Sequence, residues 1–225
     1  MDPRLRAAVD TSLRWYDDVF ALHGLRTRRG DGLWSALDAP PRWHSAVKTV
    51  DPGVPVGTVL AAMERHEHGS VADSFGDLDL ASLGFTLLFT ATWLHHPAAG
   101  GTRSTLPRSW TRVTEPDLLL EWNRVHDTEQ VLVPAVLADD RFRILARRDE
   151  GLLTGGVVLH DAVRVAGMSN GWALEGRPLD WGEVVAAAAR EFPGRPLTDY
   201  AWGADLVGLL AAGFAGLGPQ RVWLR

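Results

Sequence analysis

The hydrophobic positions near the N-terminus recur at three- and four-residue steps, which is the spacing of one face of a helix. This spacing predicts a helix over residues 4–24 that ends at Gly24. The same steps, with Ser, Thr or Asp at several starts, predict further helices. They cover residues 56–66, 114–126, 133–138, 180–192 and 203–212, with a helical turn or two at 78–83. For two of them the N-terminal signals are specific: Thr114 is an expected N-cap, and Asp180 with Glu183 forms an expected capping box.

Short apolar runs bounded by Gly, Pro and Asp predict the strands. These are residues 44–50, 70–75, 87–94, 110–113, 142–147, 152–160, 163–170, 196–200 and 220–224. The run Leu87–Leu94 favours a buried strand. Residues 25–42 are rich in Gly, Pro and Arg and are expected to form a loop around Trp34. Residues 97–107 have the composition of a linker.

An order of elements occurs twice along the chain. A strand, a helix, a short strand, a helix and a Gly-Phe pair precede a strand that ends in Trp-Leu, first at Trp93-Leu94 and again at Trp223-Leu224. The Gly-Phe pairs are Gly84-Phe85 and Gly213-Phe214. A shared order with nearly equal gaps predicts a duplicated unit, divided into residues 1–100 and 101–225.

Composition narrows the range of functions. The 225 residues are 46% hydrophobic and carry a net charge of −5, without a basic block. Nucleic acid is therefore not an expected partner. The chain has no Cys, which excludes disulfides, Cys-ligated zinc and thiol nucleophiles. The longest apolar run is too short to span a bilayer, and no signal peptide is evident. We therefore expect a cytoplasmic protein that does not bind membranes.

The second half of the chain resembles the GNAT superfamily of N-acetyltransferases. Its elements run strand, two helices, three strands, helix, strand, helix and a closing strand, as in that family. The most specific local feature is Ala211-Ala212-Gly213-Phe214 followed by Leu217 to Trp223. The resemblance implies an α/β (α+β) fold with a mixed sheet flanked by helices, duplicated in tandem with a truncated N-terminal half. It implies an N-acyltransferase that uses acetyl-CoA or another acyl-CoA and a small amine acceptor.

Two positions depart from the family pattern. GNAT proteins bind the pyrophosphate of acyl-CoA on a glycine-rich loop before a helix N-terminus. Here residues 169–180 have glycines at a different spacing, and Glu175 and Asp180 would repel a phosphate. The family often has a Tyr four residues before its Gly-Phe glycine, as the acid that protonates the leaving thiolate. In this chain that position is Leu209.

The resemblance implies a site where the fourth and fifth strands of the family fold separate. Met168, Ser169 and Asn170 would bind the pantetheine arm of the donor there as an added strand. Asp199 would receive a proton from the amine, and Tyr200 would return one to the leaving thiolate. The alternative is that Tyr200 packs in the core and Asp199 pairs with an Arg.

Other candidate residues have structural explanations as well. Asp73 and Ser74 end a predicted strand, where they would either touch a substrate or cap the next helix. His66, His68, His95 and His96 suggest a metal site, but residues two apart on a helix and adjacent residues in a strand point apart. We therefore expect no metal, and an unrelated metal hydrolase is the least favoured function.

The main alternative to an acyltransferase is a non-catalytic GNAT-fold module for ligand binding or assembly. A small-molecule ligand is the expected partner in either case, and a homodimer is a further option.

Overall fold

The computed structural model describes residues 1–97 and 110–225, so most of the expected linker lies outside the described residues. Within these ranges the chain forms five α-helices and eleven strands. The helices are α1 (Pro3–Leu22), α2 (Val56–Met63), α3 (Pro116–His126), α4 (Trp181–Glu191) and α5 (Gly203–Ala211). The strands are β1 (Thr27–Gly30), β2 (Leu33–Ala36), β3 (Val47–Thr49), β4 (Ser70–Asp73), β5 (Thr86–His96), β6 (Trp110–Arg112), β7 (Phe142–Asp149), β8 (Leu152–Asp161), β9 (Ala166–Ala173), β10 (Leu197–Ala201) and β11 (Ala215–Leu224). No helix in the described ranges is long and apolar enough to cross a membrane.

All eleven strands belong to one sheet in the order β1-β2-β3-β4-β11-β5-β10-β9-β8-β7-β6. The pairs β3–β4 and β9–β10 are parallel, and every other pair is antiparallel. Helices α2 and α4 make the two parallel connections. The C-terminal strand β11 lies between β4 and β5, and β5 in turn lies between β11 and β10. The mixed α/β class predicted from the sequence is confirmed.

The helices divide between the two faces of the sheet. Helix α1 packs on one face through a cluster that includes Leu13, Tyr16, Trp34 and Trp93. Helix α3 shares that face through Trp122. On the opposite face, α4 and α5 cover β9 and β10, and α2 covers β3 and β4. We call these two sides the α1 face and the α4 face.

The prediction of a loop over residues 25–42 is wrong, because β1 and β2 form a hairpin there. The turn at Asp31 and Gly32 has positive φ at both residues, 56° and 75°, which is the conformation that tight hairpins favour. The Asp-Gly pair was therefore a usable signal. Trp34 is fully buried in β2, and its indole Nε1 donates to Asp17 of α1 (2.8 Å). Packing on α1 thus holds the hairpin in place.

Four further predictions need correction. The first half of β5 is not buried: Leu88 is 50% exposed. Helix α3 begins at Pro116, with Glu115 rather than Thr114 as its N-cap, and residues 134–138 form a 3₁₀ helix. Asp180 caps α4 as predicted, but Glu183 does not complete a capping box. The Glu183 carboxylate instead accepts a hydrogen bond from the Trp110 indole at 3.0 Å.

Gly156 in β8 allows two indole rings to approach the strand closely. A Cβ atom at this position would lie 2.7 Å from Cε2 of Trp122 and 2.8 Å from Nε1 of Trp172. We expect Gly156→Ala to lower the free energy of unfolding by about 2–3 kcal/mol, because both rings must move. The control is Gly57→Ala in α2, where a Cβ meets nothing within 4 Å. That change should stabilise the protein by about 0.5–1 kcal/mol. Equal effects in urea unfolding would contradict the packing argument.

Candidate functional site

The parallel strands β9 and β10 separate after a short stretch of pairing. They pair only at Ala166↔Leu197 and Gly167↔Thr198. Beyond these residues a bulge in β9 places Asn170 and Gly171 opposite a single residue of β8. Asn170 has φ of 51°, a left-handed conformation that Asn tolerates better than most residues. Because a bulge bends its strand, β9 turns away from β10 and leaves an opening.

The opening brings together the residues that the sequence analysis proposed for the site. Met168, Ser169 and Asn170 lie on one side of it, and Asp199 and Tyr200 lie on the other. Met168 is only 4% exposed and packs its side chain into the core beneath α4, so only its backbone is suited to face a ligand. The side chains of Ser169 and Asn170 are half-buried and hydrogen-bonded to each other at 3.0 Å.

Asp199 and Tyr200 point to opposite faces of the sheet. Leu197 and Ala201 pack in the core on the α4 face, and Tyr200 packs in the cluster on the α1 face. Since side chains alternate along a strand, Asp199 belongs to the α4 face. Two cavities therefore meet at the opening, one on each face. Both are lined by Ser169, Asn170, Asp199 and Tyr200.

The cavity on the α4 face, which we call the α4-face groove, has a volume of about 210 Å³. Its walls include Trp181 of α4 and Asp205 of α5. Burial raises the pKa of Asp199 well above its ordinary value, and the nearby Asp205 carboxylate adds to the effect. The Tyr200 backbone N–H donates to the Asp199 carboxylate at 2.7 Å, which opposes the rise. Asp199 is thus a carboxyl group disposed to hold its proton.

The cavity on the α1 face, which we call the α1-face pocket, has a volume of about 140 Å³. Aromatic side chains form a large part of its walls, beside several polar ones. Trp15, Tyr16, Trp43, Trp93 and Tyr200 contribute the rings. The rings of Tyr200 and Trp93 pack edge to face with centroids 5.4 Å apart. Burial raises the pKa of the Tyr200 hydroxyl, so this phenol remains protonated.

Two histidines line the α1-face pocket, and they differ in their hydrogen bonds. His44 Nε2 accepts from the Trp15 indole (3.0 Å), and its Nδ1 lies 3.1 Å from the carbonyl oxygen of Arg42. Both nitrogens are engaged, and burial lowers the pKa of His44 to about 4. His44 is therefore a neutral wall residue.

His160 on β8 keeps one nitrogen free. Its Nε2 lies 2.7 Å from the Asp18 carboxylate, which also pairs with Arg141. His160 is 1% exposed, and its Nδ1 has no hydrogen-bond partner among the described residues. The Asp18 carboxylate orients the ring by accepting from Nε2. Asp–His pairs of this arrangement occur in sites where the histidine moves a proton.

The N-terminus of α4 does not offer its amides to an anion. The Asp180 carboxylate accepts from Gly182 N (2.8 Å) and Glu183 N (3.2 Å). These are two of the groups that would otherwise bind a phosphate. The neighbouring Glu175 adds negative charge to the loop. The residues therefore do not fit a diphosphate at this helix end.

The other candidate residues have structural roles. The Asp73 carboxylate accepts from the backbone N–H groups of Phe75, Gly76 and Leu78, so it holds a turn. Ser74 bonds to Thr49. Within residues 1–97 and 110–225 no group of three or more His, Asp or Glu side chains is placed to hold a metal ion.

Solved structures with this arrangement of elements exist. A GCN5-related N-acetyltransferase from Kribbella flavida matches with a TM-score of 0.68 over 97% of this chain and 94% of its own, at 15% identity. The fold is that of the GCN5-related N-acetyltransferases. A GCN5-related N-acetyltransferase-like protein from Streptococcus suis shares this GNAT fold over all of both chains, with a TM-score of 0.56 and 13% identity. A conserved protein of unknown function from Staphylococcus epidermidis matches with a TM-score of 0.67 over 88% of this chain and 92% of its own, at 14% identity. No protein-family model and no curated protein matches the sequence.

His160 and Trp43 line the GNAT-fold site but are not among the residues that the sequence points to. His160 lies in an apolar strand and gains its role from Asp18, which is 142 positions away. Trp43 lies between the loop expected over residues 25–42 and the strand expected over residues 44–50. A Trp beside the Pro40-Pro41 pair was the available signal for an exposed aromatic side chain.

Proposed function

We propose that this chain is an N-acyltransferase that moves an acyl group from an acyl-CoA thioester to a small amine. One observation carries the proposal: the opening between β9 and β10 joins a cavity on each face of the sheet. A donor in the α4-face groove and an acceptor in the α1-face pocket would meet beside Asp199 and Tyr200. Both cavities are of a size for small-molecule parts, so no macromolecular partner is required.

The unpaired part of β9 indicates where the donor would bind. After Gly167, β9 has no register partner on β10, so the backbone of residues 168–170 is available to a pantetheine arm as an added strand. The Asp180 carboxylate occupies two of the amides at the N-terminus of α4, which would weaken the binding of the diphosphate there. We infer that the arm supplies most of the donor affinity. Acyl-pantetheine should then have a KM within tenfold of that of the matching acyl-CoA.

The two faces suggest which group moves which proton. On the acceptor side, His160 Nδ1, which is buried in the pocket wall, would take a proton from an amine that reaches it, while Asp18 holds the ring. On the donor side, burial raises the pKa of Asp199, which favours its protonated form, and it would protonate the departing sulfur. These roles differ from those suggested by the sequence, in which Asp199 was the base and Tyr200 the acid. The reason is that Tyr200 lies on the acceptor face.

The strand order supports a tandem duplication, with residues 1–100 as the truncated copy and 101–225 as the fuller one. Reading outward from the centre, β5-β10-β9-β8-β7 on one side corresponds to β11-β4-β3-β2-β1 on the other. Each copy would then place its last strand beside the other copy's parallel pair. In the first copy the corresponding opening is closed, because Ser74 N donates to Thr49 Oγ1 and Ser74 Oγ donates to Thr49 O, both at 2.7 Å. We therefore assign one active site to the chain.

The test is acyl transfer by the purified chain from acetyl-CoA and longer acyl-CoAs to a panel of primary amines. We expect turnover, and we expect His160→Gln to lower kcat by about 10²-fold or more, which is in the range for loss of a general base. Leu152→Ala on the distant β7–β8 turn is the matched control and should retain wild-type kcat. Absence of turnover with every donor and acceptor would reject the enzyme proposal.

A specific packing feature favours the alternative of a non-catalytic GNAT-fold module. The Trp181 indole lies between Gly171 and Gly208: a Cβ on Gly171 would be 2.8 Å from its Cη2, and one on Gly208 would be 2.7 Å from its Nε1. The ring thus occupies part of the space between α4 and α5. Binding of acyl-CoA with a defined Kd but without transfer would support this alternative.

A further inference from the structure

The charge of its lining bears on which ligands the α1-face pocket can hold. Among the described residues that line it, none is an Arg or a Lys. Lys48 lies behind the pocket wall, with its ammonium 5.2 Å and 5.1 Å from the ring centroids of Tyr16 and Trp93. A carboxylate or phosphate that entered the pocket would lose its hydration and gain no counterion, which is a large cost.

The size and lining of the pocket favour a ring. Its volume of about 140 Å³ is close to the roughly 150 Å³ of an apolar cavity that holds benzene. Aromatic walls gain from edge-to-face and offset contact with another ring. They also stabilise an ammonium group through the ring faces.

Trp43 extends this aromatic lining to the rim. It is 67% exposed and has φ of 67°, a conformation that is a strained exception for a bulky residue. Two contacts fix the side chain in this conformation. The Trp43 indole N–H donates to the Asp127 carbonyl at 3.2 Å, and the Arg42 guanidinium lies 4.5 Å from the centre of the ring. A large aromatic side chain fixed at the mouth of an aromatic pocket is available to contact a ligand.

We propose that the acceptor is a primary amine joined by a short linker to one neutral aromatic ring, without a carboxylate or phosphate. This inference rests on the proposed function in one respect: the ligand of the pocket is the acyl acceptor only if the chain is an acyltransferase, in which case the pocket lies on the amine side of the opening. The amine would extend toward Asn170 and His160, and the ring would lie among Trp15, Trp93 and Trp43. Amino acids and phosphorylated amines would be excluded for lack of a cation in the lining.

Binding to the donor-free protein tests the class of ligand. 2-Phenylethylamine and L-phenylalanine share the ring and the amine and differ by a carboxylate, so they form a matched pair for isothermal titration. We expect the amine to bind at least tenfold more tightly than the amino acid. Trp43→Ala should weaken the amine at least fivefold, and Leu152→Ala should leave its Kd unchanged.

The outcomes separate this inference from the proposed function. Selective binding of the amine without acyl transfer from any donor would keep the ligand class and reject the enzyme. Acyl transfer to amino acids at rates equal to those for the matched amines would keep the enzyme and overturn the ligand class. Absence of amine binding at 10 mM ligand, on the order of the weakest affinities that titration resolves, would also overturn it.

Discussion

Asp199→Asn is expected to lower kcat for acyl transfer at neutral pH by about 10²-fold or more, while the protein folds normally. The amide keeps the shape of the carboxyl group but cannot give a proton to the departing sulfur, and loss of a general acid is worth about this much. The change also removes a buried ionisable group whose charged form is disfavoured, so no loss of folding stability is expected. Steady-state kinetics and thermal unfolding of the two proteins measure the two effects.

The pH dependence of this effect distinguishes an acid from a base. A general acid works in its protonated form, so the wild-type kcat should fall as pH rises through the raised pKa of Asp199. Asp199→Asn should lack that fall. Because the Asp205 carboxylate contributes to the rise in pKa, Asp205→Asn should move the fall to lower pH. Tyr200→Phe should lower kcat by less than tenfold, since its hydroxyl lies on the acceptor face.

One result would restore the roles that the sequence suggested. If the wild-type kcat rises with pH through an Asp199-dependent transition, Asp199 acts as a base. In that case Tyr200→Phe should cost as much as Asp199→Asn. Equal kcat for wild-type and Asp199→Asn at every pH would remove Asp199 from the mechanism.

Local signals were sufficient for most elements of the fold. Asp180 before an apolar helical face placed the start of α4, and the turn at Gly151 joined β7 to β8. The position of β11 between β4 and β5 was not predictable, because it depends on pairing between residues 120 or more positions apart. The exposure of the first half of β5 was not predictable for the same reason. Its apolar run reads as a core strand, but its neighbours in the sheet leave Leu87 and Leu88 exposed.

The position of the candidate site was predictable from the sequence, but the chemical roles of its residues were less so. The order strand, helix, strand over residues 166–201 sets the positions of Ser169, Asn170 and Asp199 at the same end of a parallel pair. The sequence cannot show which face each side chain meets until the register is known. A shift of the register by one residue moves every side chain to the other face of the sheet. The assignment of acid and base depends on which face each side chain meets. His160 depends on a contact with α1 that no local pattern reveals.

Lys48 is the only lysine of the chain, and it lies where a charge is costly. It is fully buried on β3, and its ammonium has no hydrogen-bond partner among the described residues. The nearest groups that stabilise its charge are the ring faces of Tyr16 and Trp93. The Asp73 carboxylate adds a weaker attraction. Burial lowers the pKa of Lys48 to about 7 from its ordinary 10.5. The folded protein therefore binds fewer protons than the unfolded chain over this interval.

Lys48→Met is expected to stabilise the protein at pH 7 and to remove a rise in stability that the wild type shows on going to pH 9. Between the folded pKa of about 7 and the unfolded value of 10.5, the unfolded chain holds the extra proton. Stability therefore increases with pH in that window. The gain from pH 7 to pH 9 should be on the order of 2 kcal/mol in the wild type and absent in Lys48→Met. Urea unfolding of both proteins at the two pH values measures the difference, and every other titrating group cancels because it is common to both. If the two proteins change in parallel, Lys48 keeps an ordinary pKa in the folded state, and a counterion must lie close to its ammonium.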